Sequence, residues 1–189
     1  MNEVNNIPNI EMTEEYRITM FVGLMRQVMN ELIADGMASR LRECGFFTAP
    51  ASTKYHGSYE GGLFAHSYAV TRNLLRLTKA LGLEWRREVS PYYVGMFHDL
   101  CKVGLYAKNE SGGYDFNRDA MLPGHGERSV ILAQQLVYLT NEEVLCIRWH
   151  MGAFDDKERW NSYGRAIEKY PNVLWTHTAD MMASRIDKV

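Results

Sequence analysis

Apolar residues Phe21, Leu24, Met25, Val28, Met29, Leu32 and Ile33 recur at steps of three and four, the spacing of one helical face. Thr13 ahead of Glu14 and Glu15 predicts the start of that helix: a hydroxyl to cap the free amides, then acids facing the positive end of the dipole. Gly36 is expected to interrupt it before a shorter piece over residues 37–44. Residues 1–12 are polar and read as a flexible N-terminal arm. Residues 47–62 carry Pro50, Gly57, Gly61 and Gly62 and read as a loop. A second long helix is expected over 63–81, stopped by Gly82. A third is expected over 91–102, with Pro91 in its first turn. Two short alternating runs flank Gly112-Gly113 and predict one small β-hairpin. Helices are then expected over 126–138, 141–151 and 173–186, with a further turn or two over 160–170. Thr140 and Glu143 have the spacing of a capping box. The fold class is all-α: a compact helical bundle with one small β-hairpin insertion.

Composition narrows this little. The chain has 189 residues, 46% hydrophobic and 23% charged, an ordinary globular balance and a length suited to one domain. The net charge of −2 disfavours a long nucleic acid as partner, because polyanion binding needs a basic field. A local cationic pocket could still hold a nucleotide. Cys44, Cys101 and Cys146 are odd in number and widely spaced, which argues against a disulfide framework and for a reducing compartment. The N-terminal sequence lacks the basic start and apolar run of a signal peptide, and no window reaches the ~20 apolar residues of a membrane span. A cytoplasmic protein with no membrane partner is the expectation. The apolar stripe of the first helix could pair with a second copy, as a homodimer.

The run Phe97-His98-Asp99-Leu100-Cys101-Lys102 changes the picture. If it continues the third helix, His98 and Asp99 lie three to four residues from Lys102 and can share a face. Imidazole and carboxylate are ligands for a borderline or hard divalent metal, and Lys102 adds a cation beside them. An i, i+3 ion pair at a helix end is the plainer reading of the triplet alone. Other residues weigh against it. His66, His125, His150 and Asp180 each fall on a different expected element, and a bundle can aim such groups at one interior point. Unpartnered buried imidazoles and acids are costly, so a shared partner is the economical explanation.

The order His66, His98-Asp99, His125, His150, Asp180 resembles the HD-domain superfamily of metal-dependent phosphohydrolases. The resemblance spans roughly residues 50–185. The stretch from Lys54 through Gly61-Gly62-Leu63 to His66 looks like that family's opening motif, His98-Asp99-Leu100-Cys101-Lys102 like its signature, and Thr178-Ala179-Asp180 like its closing aspartate. The resemblance implies a single HD-type domain over residues 13–189. It implies that His66, His98, Asp99 and Asp180 hold one metal, and that Asp99 bridges to a second held by His125 and His150. Some two-metal members carry two consecutive histidines where this chain has Trp149-His150. The cofactor implied is one or two divalent transition metal ions, with Fe, Mn, Co, Ni and Zn all compatible. The activity implied is hydrolysis of a phosphomonoester or phosphodiester, of a nucleotide or small phosphate, by metal-activated hydroxide. Asp99 and Lys102 would be its catalytic residues.

Lys54, His56, Lys102 and Arg128 are candidate substrate contacts. His56 could equally be a loop histidine bonded to backbone, and Arg128 could form an ordinary surface pair with Glu127. His177 reads as structural or as a support for a ligand. Trp149, Trp160 and Trp175 are read as core before they are read as stacking platforms. Two alternatives stand beside hydrolysis: a mixed-valent diiron oxygenase of the myo-inositol oxygenase type, whose ligand pattern in the same superfamily this chain also matches, and a non-catalytic nucleotide-binding HD module.

Overall fold

Eight α-helices and one two-stranded hairpin build the chain in the computed structural model, which describes residues 12–55, 57–120 and 124–189. The expected N-terminal arm lies almost wholly outside the described residues. Helix α1 (Glu14–Met25) starts where Thr13 accepts a hydrogen bond from the Tyr16 amide. It stops at Met25, well before Gly36. Helix α2 (Glu31–Glu43) begins behind Asn30, whose Oδ1 accepts from the Ile33 amide at 2.9 Å. The expected break is therefore displaced: Gly36 sits inside α2, and its absent side chain faces open space. A side-chain cap decided the boundary, and the apolar run past Met29 misled, because Leu32 is 83% and Ile33 53% exposed.

Helix α3 (Gly62–Leu81) ends on Gly82 in the left-handed conformation, as the sequence predicts. Its start needs glycine twice: Gly61 has φ +81°, and a Cβ on Gly62 would run into the Gly57 carbonyl. Helix α4 (Ser90–Phe97) is shorter than expected. Asp99 leaves the helical region at φ −107°, ψ 18°, and Leu100–Lys102 form a separate 3₁₀ turn. His98, Asp99 and Lys102 thus do not share the face of one continuous helix. Strands β1 (Tyr106–Lys108) and β2 (Tyr114–Phe116) pair antiparallel, Tyr106 opposite Phe116.

Helix α5 (His125–Leu136) and helix α6 (Asn141–Arg148) follow, the latter behind a complete Thr140–Glu143 capping box. Helix α7 (Trp160–Lys169) leads to α8 (Asn172–Met181), which continues as a π-helical turn, Met182–Asp187. The central pairings are α3 on α4, α3 on α8, α5 on α6 and α6 on α8. Gly95 permits the first: a Cβ there would lie 2.6 Å from Thr71 Cα. Phe21, Phe46, Phe47 and Phe64 form an edge-packed aromatic cluster under the N-terminal half of α3, with Phe21–Phe47 and Phe46–Phe47 centroids 5.7 and 5.4 Å apart. Trp149 is buried with the Arg148 guanidinium 4.1 Å over its ring, which makes it core. No helix among the described residues is long and apolar enough to cross a membrane.

Candidate metal centre

Five elements deliver one cluster. His66 projects from the second turn of α3, and His98 and Asp99 from the end of α4. His125 opens α5, His150 follows α6, and Asp180 closes α8. His66, His98, Asp99 and His150 are buried, and the His125 side chain is 32% exposed, so the cluster meets solvent on the His125 side.

Because the chain turns at Asp99, its carboxylate points two ways. Oδ2 lies 3.6 Å from His66 Nε2, 3.5 Å from His98 Nε2 and 2.6 Å from Lys102 Nζ. Oδ1 lies 2.8 Å from His125 Nε2 and 3.4 Å from His150 Nε2. Asp180 Oδ1 is 3.1 Å from His66 Nε2. Three groups bring their donor atoms within 4.8 Å of one another: His66, His98 and Asp180; His98, Asp99 and His150; Asp99, Cys101 and His125.

The imidazoles are oriented from behind. His98 Nδ1 lies 2.8 Å from the Gly95 carbonyl, His150 Nδ1 2.7 Å from Ile147 O, and His66 Nδ1 2.9 Å from Val189 O. A carbonyl only accepts, so Nδ1 must carry the proton and donate it. In the neutral ring that leaves Nε2 as a lone pair aimed inward. His66 and His98 bring their Nε2 atoms to 3.3 Å of each other, an arrangement that two lone pairs oppose unless positive charge lies between them. Asp99 Oδ1 and His150 Nε2 are buried with no hydrogen-bond partner; the His125 ring faces Oδ1 at 2.8 Å. Orphaned acceptors, inward lone pairs and buried carboxylates are the donor set of a cation site, and the clustered residues can hold a metal ion.

Electrostatics agree. Burial pushes the Asp99 carboxyl up, but the Lys102, His98 and His125 charges outweigh it and hold Asp99 well below the usual carboxylate range. Burial disfavours the Lys102 ammonium, and Asp99 more than compensates, raising its pKa. Burial is also the largest influence on Asp180; the hydrogen bond and charge of His66 reverse it and keep Asp180 ionised. Burial lowers the pKa of His150, which keeps that ring neutral.

The other candidates fare differently. Lys54 is exposed on the loop before α3, and no contact joins it to the cluster among the described residues. His56 lies outside the described residues. Arg128 forms no surface pair with Glu127. Its Nη2 donates to Val103 O at 3.0 Å, while its buried Nε and Nη1 have no hydrogen-bond partner. Glu127 instead binds Arg148 and Arg159 at 2.6 and 2.8 Å, and Arg148 also binds Asp155 at 2.5 Å. This chain of charges, which sequence reasoning missed, ties the start of α5 to the loop ahead of α7. Beside it a cavity of ≈ 320 Å³ opens between His125, Met151, Phe154 and Arg159. A larger one, ≈ 410 Å³, lies among Val28, Leu75, Trp85 and Tyr92 and touches none of the cluster. His177 Nδ1 bonds the His150 carbonyl at 2.8 Å, supporting the backbone that carries a ligand. Cys101 was also missed; its Sγ lies 3.0 Å from His125 Nδ1.

No family model matches the chain, and no solved structure matches it. Among curated proteins, it is similar to a dihydroneopterin 2′,3′-cyclic phosphate phosphodiesterase of Methanocaldococcus jannaschii, 36% identical over 78 residues. The match takes in 38% of this chain and 31% of that relative. A phosphodiesterase relative and a buried His/Asp cluster together fit a metal phosphohydrolase.

Proposed function

We propose that the chain is an HD-type metal-dependent phosphohydrolase that cleaves a phosphomonoester or phosphodiester of a nucleotide or other small phosphate. The observation that carries this reading is the division of Asp99, with Oδ2 toward His66 and His98 and Oδ1 toward His125 and His150. One carboxylate shared by two imidazole pairs suits two adjacent cations. His66, His98, Asp99 and Asp180 would hold one; Asp99, His125 and His150 the other. When bound, divalent cations supply Lewis acidity toward phosphoryl oxygens and a nucleophile available near neutral pH.

The chain's own residues do the rest. The Nδ1 hydrogen bonds hold three imidazoles in the tautomer that turns the Nε2 lone pair into the site. Lys102 holds a fixed positive charge against Asp99, and in that place it offsets charge on a phosphoryl group without arginine's two-pronged geometry. The partly exposed edge of His125 and the cavity beside it offer the approach for a substrate. The relative's substrate is a small cyclic phosphodiester, which supports a small phosphoester here, as does the modest net charge.

The test is to strip the purified chain with chelator, restore Mn²⁺, Fe²⁺, Co²⁺, Ni²⁺ or Zn²⁺ singly, and assay phosphomonoesters and linear and cyclic phosphodiesters. Cation-dependent phosphate release is expected, reduced at least ~100-fold in Asp99→Ala, since loss of a ligand should exceed loss of a ligand's support. Full turnover in Asp99→Ala sinks the reading. Oxygen uptake with a coupled diiron signal and no phosphate release would place the chain with the myo-inositol oxygenase type instead.

A further inference from the structure

His66, His98 and His150 all rest their Nδ1 atoms on backbone carbonyls. His125 is held differently. Its Nδ1 lies 3.0 Å from the Sγ of Cys101, a buried thiol. The same cysteine is gripped a second time by α5: its backbone amide donates to Ser129 Oγ at 3.1 Å, and Ser129 stands one helical turn after His125. The 3₁₀ turn and the start of α5 are therefore docked on each other through Cys101, once by main chain and once by sulfur.

The direction of the sulfur contact matters. If the thiol donated to Nδ1, the proton of a neutral ring would sit on Nε2, which faces Asp99 Oδ1 at 2.8 Å. That ring could not ligate. If Nδ1–H donates to sulfur, Nε2 is free to face a cation. Only the second arrangement matches the other three imidazoles.

We propose that Cys101 is the positioning residue of His125: its sulfur accepts the Nδ1 proton and so aims Nε2 into the site shared by Asp99 and His150. This rests on the metal reading above. It has a consequence that the backbone-held histidines lack. No side-chain change removes a carbonyl partner, whereas one substitution removes the sulfur, so Cys101 controls the His125 cation without touching the His66–His98–Asp180 cation.

The experiment compares wild type with Cys101→Val, which fills the space without an acceptor, and Cys101→Ser, which restores one. In the metal-free proteins, ¹⁵N-labelled histidine NMR should show a slowly exchanging His125 Nδ1 proton in wild type and Cys101→Ser, lost in Cys101→Val. Titration with Mn²⁺ and Co²⁺ should show one of two affinities reduced roughly 10–100-fold in Cys101→Val, the other unchanged, and Cys101→Ser within a few-fold of wild type. Absence of the protected proton in wild type overturns the proposal without needing any variant to fold. So does an equal loss of both cations in Cys101→Val, which marks a packing role. A sulfur-to-Co²⁺ charge-transfer band in wild type also overturns it, since Cys101 would then be a ligand. A wild type that takes up no cation sinks the metal reading, while the NMR signal still decides the role of Cys101.

Discussion

Lys102 Nζ stands 2.6 Å from Asp99 Oδ2, and both side chains are nearly buried. It is the nearest permanent positive charge to a carboxylate that otherwise faces only imidazoles. Removing one partner of such a pair leaves an uncompensated buried charge, at a cost of about 3–5 kcal/mol. Lys102→Met should therefore lower the unfolding free energy of the metal-free protein, read from urea titration, by that order. Saturating Mn²⁺ should recover much of the loss, because a cation takes over the neutralisation of Asp99. An identical loss with and without Mn²⁺ would mean that no cation binds beside Asp99.

Metal uptake should release protons. Burial works to lower the pKa of His125, but the Asp99 carboxylate outweighs it and raises it to about 10. At pH 7 the metal-free ring is charged, and a cation must displace its Nε2 proton. Calorimetric titration in two buffers of different ionisation enthalpy should show roughly one proton leaving with the cation at His125, and affinity should climb with pH. The metal-free fold should behave oppositely. A raised folded pKa contributes stability that is complete below the unfolded value of ~6.5 and is lost as pH rises through about 10. Between those limits the native state binds the extra proton, so stability falls with pH.

The two halves of the cluster should separate by mutation. Asp180→Asn removes a carboxylate that reaches His66 but not His125. His150→Ala removes an imidazole that faces Asp99 Oδ1. Each should lose about one equivalent of Mn²⁺ by elemental analysis after gel filtration. The double variant should lose both. Loss of all metal in either single variant would point to one shared site.

Two glycines in helices should respond with opposite signs. Gly95→Ala places a Cβ 2.6 Å from Thr71 Cα, where α4 packs against α3. Overpacking there should cost about 1–3 kcal/mol and pull His66 away from His98, so metal content should fall with stability. Gly36→Ala meets nothing within 4 Å inside α2 and should stabilise by about 0.5–1 kcal/mol, with metal content unchanged. Thermal melts with elemental analysis read both.

Several features of this fold were legible along the chain because they are local. The Thr13 cap, the Gly82 stop, the Thr140–Glu143 box and the turn at Gly112-Gly113 each involve groups a few residues apart. Hydrophobic spacing carried the all-α class for the same reason: it records which face of a segment is buried. It could not place the break between α1 and α2, where the Asn30 cap prevailed over an apolar stripe that runs out to solvent. Nor could it foresee that the chain turns at Asp99, which a helical period would have carried on to Lys102.

Sequence alone determined the inventory of the site: four imidazoles and two carboxylates spread over five elements, with a lysine three residues after one acid. Only the tertiary structure decided their directions. Which oxygen of Asp99 faces His66, His125 and His150, that Val189 and Cys101 hold the Nδ1 atoms of His66 and His125, and that Arg128 turns inward to Val103 and not outward to Glu127, all depend on partners distant in sequence; only His98 and His150 are held by carbonyls of their own elements. The physical reason is that periodicity encodes burial within one element, whereas the aim of a side chain is set by the packing of elements against each other.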